Sequence, residues 1–190
     1  MTTKTQLTLK RHFDVSPEIA YRAWVDPEQL ETWWGPNELE ENEVESLDVR
    51  VGGSYHIVTN AASGDRYNFR GQYREIIPNK KISFTWDTAE HRECVVTAEF
   101  GADSTGTNLT LRHLGLANAE ERESYREGWE GALEKLERLI AQAGRAGKLS
   151  RSTHFADAIA FQLSATAGLS RTTTLISSQH VATRSSCAHC

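Results

Sequence analysis

Between Val44 and Leu111, apolar and aromatic residues recur at every second position in run after run, with turn-forming residues between the runs. At Asn118 the period changes to that of a helix. A period of two puts successive side chains on opposite faces of a strand, whereas a period near 3.6 lines one face of a helix. This switch confines the chain to an α+β arrangement: an antiparallel sheet first, then one long helix that buries its stripe against it. The runs are Leu47, Val49 and Val51 before Gly52-Gly53; Tyr55 and Ile57; Tyr67, Phe69, Gly71 and Tyr73; Ile82, Phe84 and Trp86; Cys94, Val96, Ala98 and Phe100; and Leu109, Leu111 and His113. Gln6 to Phe13, with Leu7 and Leu9 opposite Thr8 and Lys10, adds a first strand, for about seven in all.

Two short helices are expected between that first strand and the rest. Ser16-Pro17-Glu18 and Asp26-Pro27-Glu28 each set a capping residue before a proline and an acid, a helix-start pattern. Ile19, Ala20, Ala23 and Trp24 form the first stripe; Leu30, Trp33 and Trp34 belong to the second helix, which Gly35-Pro36 ends. Neighbours on a helix point ~100° apart, so Trp33 and Trp34 are not expected both to face the core. In the long helix, Asn118 to Ala143, the stripe is Tyr125, Trp129, Leu133, Leu136 and Ile140, with Glu120, Glu121, Glu127, Glu134, Lys135 and Arg138 around the remainder. Gly128 and Gly131 interrupt it at ~1 kcal/mol each relative to alanine, and either admit a close neighbour or leave room beside the helix.

Charge divides the 190 residues unevenly. Residues 1–143 carry 25 acids and 16 bases, a net −9, while residues 144–190 carry one acid, Asp157, and five bases, a net +4. The body holds every Trp, Tyr and Pro; the tail is rich in Ser, Thr and Ala. We therefore expect a folded domain over residues 1–143 and a tail over 144–190 that is either disordered or partly helical, Phe155, Ile159 and Leu163 being spaced for one helical face. The overall charge of −5 argues against nucleic acid or an anionic membrane as partner. The longest uncharged tail run, Ala158 to Ser170, is too short and polar to span a bilayer. Three cysteines and no signal sequence lead us to expect a cytoplasmic protein. Cys187, His189 and Cys190 suit zinc chemically, but only His180 stands nearby as a fourth ligand, and no metal site is expected.

SPEIAYRAWVDPEQLETWWGP, DVRVGG, FRGQYREIIPNKKISFTW, TNLTLRH and EGWEGALEKLERLI follow one another in a series that resembles the SRPBCC superfamily, with its START-like helix-grip fold. Within it the chain is similar to the branch related to the carboxy-terminal domain of the activator of heat-shock-protein-90 ATPase, over about residues 6–142. The resemblance implies a curved antiparallel sheet wrapped around the long carboxy-terminal helix, with a deep hydrophobic cavity between them. It leaves the chemistry open, because members include lipid and hormone binders, cyclases and co-chaperones.

The side chains expected at such a cavity are Phe69, Tyr73, Phe84, Trp86 and Trp129 as lining, Trp33 or Trp34 at the mouth, and His113 as an orienting group. The leading expectation is non-covalent binding of a small hydrophobic or aromatic molecule in an enclosed cavity, without catalysis. One alternative is a cyclase- or hydrolase-type enzyme in which His113 moves a proton, paired with Glu99 or Tyr73, although alternation turns Glu99 outward. Another is a chaperone-associated interaction module, and a second copy of the chain is a further candidate partner. The sequence has no Gly-rich phosphate loop, no His-Glu-x-x-His and no Gly-x-Ser-x-Gly, and no cofactor is expected. Glu38, Glu40, Glu41, Glu43 and Glu45 read as a solvated acidic loop.

Overall fold

The computed structural model describes residues 5–36, 40–87 and 94–166. Seven strands, β1 (Thr5–Phe13), β2 (Glu41–Leu47), β3 (Ser54–Asn60), β4 (Arg66–Ile77), β5 (Lys81–Trp86), β6 (Cys94–Ala102) and β7 (Thr107–Leu116), form one sheet in the order β1-β7-β6-β5-β4-β3-β2. Every neighbouring pair is antiparallel. Helices α1 (Pro17–Arg22) and α2 (Pro27–Trp33) follow β1, and α3 (Ala119–Thr166) follows β7. This is the expected helix-grip architecture: a curved antiparallel sheet, a long carboxy-terminal helix and two short helices after the first strand.

β4 is the turning point of the sheet. Arg66 to Gln72 pair with β3, while Tyr73 to Ile77 pair with β5, and a register irregularity falls between Tyr73 and Glu75. Such a bulge bends a strand and sharpens its twist. Among the described residues, only the isolated Arg70–Asp87 bridge continues the β5 side into the first half of β4. Gly71 sits at that divide because a Cβ there would collide with the Thr85 carbonyl and come 2.7 Å from the Tyr55 ring. Tyr55 uses the space, donating its hydroxyl to the Thr85 carbonyl at 2.8 Å.

The core gathers the inward faces of the strands with one stripe of each helix. Leu7, Ile57, Ile82, Val96, Leu109 and Leu111 are at most 1% exposed, as are Leu133 and Leu136 of α3. Full burial of each such side chain contributes ~1.5–3 kcal/mol, which a long helix with two glycines needs in order to dock.

Four local readings are corrected by this packing. The run Leu47, Val49, Val51 is not one strand: β2 ends at Leu47, and Asp48 to Gly53 form a turn closed by Gly53 N–H donating to the Arg50 carbonyl at 2.8 Å, leaving Val51 62% exposed. The acidic run is not a loop over Glu41, Glu43 and Glu45, which are the outward residues of β2; Glu38 lies outside the described residues. Charges along an edge strand oppose pairing with another chain. Ser16 places no side chain on the α1 amides, and its hydroxyl instead holds the Glu18 carboxyl below the usual carboxylate range, whereas Asp26 does cap α2 through the Gln29 amide at 3.3 Å. Lys135 is not on the solvated side of α3: it is 8% exposed, and its ammonium donates to the Trp34 carbonyl at 3.1 Å.

The chain divides into two compact units, Met1–Ser150 and Arg151–Cys190. The first holds all seven strands, α1, α2 and the core. In the second, the described backbone is helical over 151–166, which includes Phe155, Ile159 and Leu163. Helix α3 therefore extends well beyond Ala143, where the sequence pattern ended it. The cysteines and histidines suited to zinc lie outside the described residues.

Candidate functional site

The two adjacent tryptophans are both buried, Trp33 fully and Trp34 at 4% exposure. The helical argument against this fails because α2 ends at Trp33; Trp34 is extended (φ −59, ψ 143) and Gly35 adopts φ 76, the left-handed conformation that glycine takes without steric cost. The backbone thus turns Trp34 inward instead of carrying it on around the helix. Trp33 donates its indole N–H to the Ala23 carbonyl at 2.8 Å and packs on Trp24 with ring centroids 4.7 Å apart. Trp34 stacks on Trp86 at 5.4 Å and meets the edges of Phe69 and Trp129 at 5.8 and 6.0 Å. Asn42 fastens the corner, donating from Nδ2 to the carbonyls of Trp34 at 2.7 Å and Glu31 at 3.0 Å.

Between this corner, the β4 and β5 strands and α3 lies a cleft of about 670 Å³. Trp33, Trp34, Phe69, Trp86 and Trp129 form its aromatic wall. Tyr67 and Tyr125 stand with them; Tyr67 is 50% exposed, so the cleft has an open side. Ala132, Gly128 and Gly131 complete the α3 side, and the polar groups are Glu40, Thr59, Ser124 and Glu127. A volume of 300–1,000 Å³ is that of a small-molecule site, ~70–90% of whose occupant's surface becomes buried.

The two glycines of α3 have opposite surroundings. A Cβ on Gly128 would have no other atom within 4 Å, and one on Gly131 would stand 2.7 Å from the Pro36 carbonyl oxygen and 3.0 Å from its Cα. Gly131 lets the Trp34–Pro36 corner close onto the helix, and Gly128 keeps the cleft open. Both readings of the glycine pair apply, one to each residue.

Tyr73, Phe84 and His113 are not at the cleft. Tyr73 and Phe84 surround a void of about 10 Å³, together with Trp24, Leu30, Tyr55 and Ile82. That space holds at most about one water, so the interior around Tyr73 and Phe84 is filled. Burial raises the Tyr73 hydroxyl well above the ordinary tyrosine pKa, with smaller contributions from Tyr21 and Asp48. Along one face of β4 the residues grade from Tyr73, 5% exposed in the core, through Phe69 in the wall to Tyr67 at the opening. His113 is fully buried, accepts the Trp129 indole N–H on Nδ1 at 3.2 Å and contacts the Tyr125 ring at 4.6 Å. It orients Trp129, a wall residue, from behind. Glu99, the carboxylate considered for it, is held by Arg112.

Sequence reasoning missed Tyr67, Tyr125, Asn42 and Thr59. Tyr67 and Tyr125 belong to the inward alternation and the helical stripe, so their placement was available from pattern. Asn42 and Thr59 carried no such signal; Thr59 is 2% exposed and donates its hydroxyl to Asn42 Oδ1 at 2.7 Å, which orients the amide that fastens the corner.

Residues 14–141 match the model of the Activator of Hsp90 ATPase homolog 1-like protein family. The chain belongs to this family. Among solved structures, this member of the family is similar to a protein from Chromobacterium violaceum, with 31% identity, a TM-score of 0.67, and coverage of 71% of this chain and 96% of that one. The AHSA1 protein from Silicibacter pomeroyi is 28% identical with a TM-score of 0.62, over 73% of this chain and 99% of that one. A protein from Mesorhizobium loti is 26% identical with a TM-score of 0.56, over 73% and 98%. No curated protein matches the sequence. The family match leaves residues 142–190 outside it. Among the described residues no helix is long and apolar enough to cross a membrane, and no group of three or more His, Cys, Asp or Glu residues is placed to hold a metal.

Proposed function

We propose that this protein binds a small molecule with an aromatic or apolar body, non-covalently, in the cleft between the Trp34–Pro36 corner, β4, β5 and α3. The carrying observation is the contrast between two spaces: about 10 Å³ in the filled interior and about 670 Å³ in the aromatic-walled cleft. Removing apolar surface from water at ~25 cal/mol per Å² drives the association, and a wall of rigid rings loses little conformational freedom on contact. The site is an open cleft and not the enclosed cavity between sheet and helix. The protein acts in the cytoplasm in this reading, and the domain of residues 1–143 is sufficient for binding.

The test is a tryptophan-emission titration of the full-length chain with neutral aromatic probes such as 2-naphthol and flavone, repeated on Gly128→Leu. Saturable quenching in the parent chain and its loss in the variant, with an unchanged far-ultraviolet spectrum, are expected. Absence of saturable quenching by any probe, or quenching indifferent to Gly128→Leu, overturns the proposal.

A further inference from the structure

We propose that the guest is an organic cation: a quaternary or protonated amine carried on an aromatic or apolar body. The inference rests on the reading of the cleft as a ligand site and deepens it by fixing the sign of the guest's charge.

Three observations converge. First, among the described residues the charged side chains lining the cleft are Glu40 and Glu127, and no Lys, Arg or His lines it. Glu127 is exposed and has no ion-pair partner among the described residues. The nearby cations of α3 are engaged elsewhere: Arg126 with Glu123 at 3.0 Å and Glu130 at 4.0 Å, and Lys135 with the Trp34 carbonyl.

Second, several donors of the wall are committed or covered, and those that remain at the cleft, the Trp34 indole N–H and the hydroxyls of Tyr67 and Ser124, are neutral. The Trp33 indole N–H is spent on the Ala23 carbonyl, and that of Trp129 on His113 Nδ1. The Trp86 N–H is buried out of reach of solvent, and Thr59 donates to Asn42.

Third, the wall also presents ring surface: Tyr67 is 50% exposed and Phe69 half-buried, and behind them Trp34, Trp86 and Trp129, each 4–5% exposed, join Phe69 in five ring contacts at 5.1–6.0 Å. The face of an aromatic ring is the negative end of its quadrupole, and a cation within about 6 Å of the centroid is attracted to it, most strongly by Trp. An open cleft also leaves an ammonium partly hydrated, so entry does not demand full desolvation of the charge.

The experiment is isothermal titration of the full-length protein with three probes of nearly one shape: benzyltrimethylammonium, its carbon isostere neopentylbenzene, and the anion phenylacetate. The cation is expected to bind about tenfold or more tighter than the isostere. Glu127→Gln is expected to remove a large part of that ratio while leaving neopentylbenzene unaffected, and added salt to weaken only the cation. Equal affinity of isostere and cation, or a preference for phenylacetate, overturns the charge assignment while the cleft remains a ligand site. A cation preference unmoved by both Glu127→Gln and salt overturns the role of Glu127. If none of the probes binds, and 2-naphthol and flavone also fail, the site reading falls and this inference with it.

Discussion

Gly128 and Gly131 lie three residues apart on one helix, and alanine at each position is expected to change stability in opposite directions. Helix propensity alone favours alanine by ~1 kcal/mol at either site, because glycine loses more backbone freedom on folding. At Gly128 nothing lies within 4 Å of the new Cβ, so the propensity gain stands. For a chain of this size 1 kcal/mol raises the melting temperature by ~2–4 °C. At Gly131 the new methyl meets the Pro36 carbonyl oxygen at 2.7 Å and the Pro36 Cα and Cβ at 3.0 Å. The atoms in the way are backbone and a proline ring, and the corner is tied down by Asn42 and Lys135 on the Trp34 carbonyl at 2.7 and 3.1 Å. It yields only by moving those bonds. Overpacking of this kind costs ~1–3 kcal/mol, more than cancelling the propensity gain over most of that range. Thermal unfolding followed by circular dichroism, with urea midpoints alongside, reads both variants. A rise for Gly128→Ala and a fall for Gly131→Ala are expected. An equal rise in both refutes the close approach of the corner to the helix; a fall at Gly128 refutes the open space beside it.

Two further outcomes follow from the core. Trp33→Phe keeps most of the ring volume but removes the N–H that satisfies the Ala23 carbonyl at 2.8 Å, and a loss of ~1–3 kcal/mol in urea unfolding is expected; an unchanged midpoint shows that the bond contributes nothing. The hydroxyls of Tyr55 and Tyr73 are pushed well above the tyrosine value of 10.0, chiefly by burial. An acid whose pKa is raised on folding contributes stability that is complete below its unfolded pKa and is lost as pH rises above it. The melting temperature is therefore expected to fall above about pH 10, less steeply in Tyr73→Phe, and spectroscopic titration of phenolate at constant temperature is expected to release these two groups only with unfolding. Titration of all tyrosines in the folded protein at about pH 10 contradicts their burial.

Much of the fold was legible because periodicity is a local property. Leu7 and Leu9, Ile82 to Trp86, and Cys94 to Phe100 alternate as strands regardless of what they pack against, and the Trp129–Leu133–Leu136–Ile140 spacing belongs to a helix wherever it docks. Legibility failed where a neighbour in space overrode the local pattern. Val49 and Val51 alternate like a strand, yet Asp48 to Gly53 turn back on themselves. Glu41, Glu43 and Glu45 look like a solvated loop, yet Asn42 and Val44 between them bind the strand into the domain. Lys135 was assigned to water on charge alone, whereas the Trp34 carbonyl supplies a buried partner.

The site divides on the same line. Residue type was enough to select Trp33, Trp34, Phe69, Trp86 and Trp129, because large rings near a helix stop and along an inward strand face belong to the interior or to the walls of a site. It could not separate Phe69 from Tyr73, two positions on one face of β4, or Trp86 from Phe84 on β5. That distinction is about space: Tyr55, Leu30 and Ile82 fill the volume next to Tyr73 and Phe84, and Gly128 leaves it empty next to Trp86 and Trp129. The sequence by itself determined six of the seven strands, three helices, their order and an aromatic interior, since each follows from spacing along the chain, whereas β2 did not. Only the tertiary structure decided which aromatic surface is closed and which is open, because an empty volume is bounded by residues from the corner after α2, β4, β5 and α3 at once, and no stretch of sequence contains it.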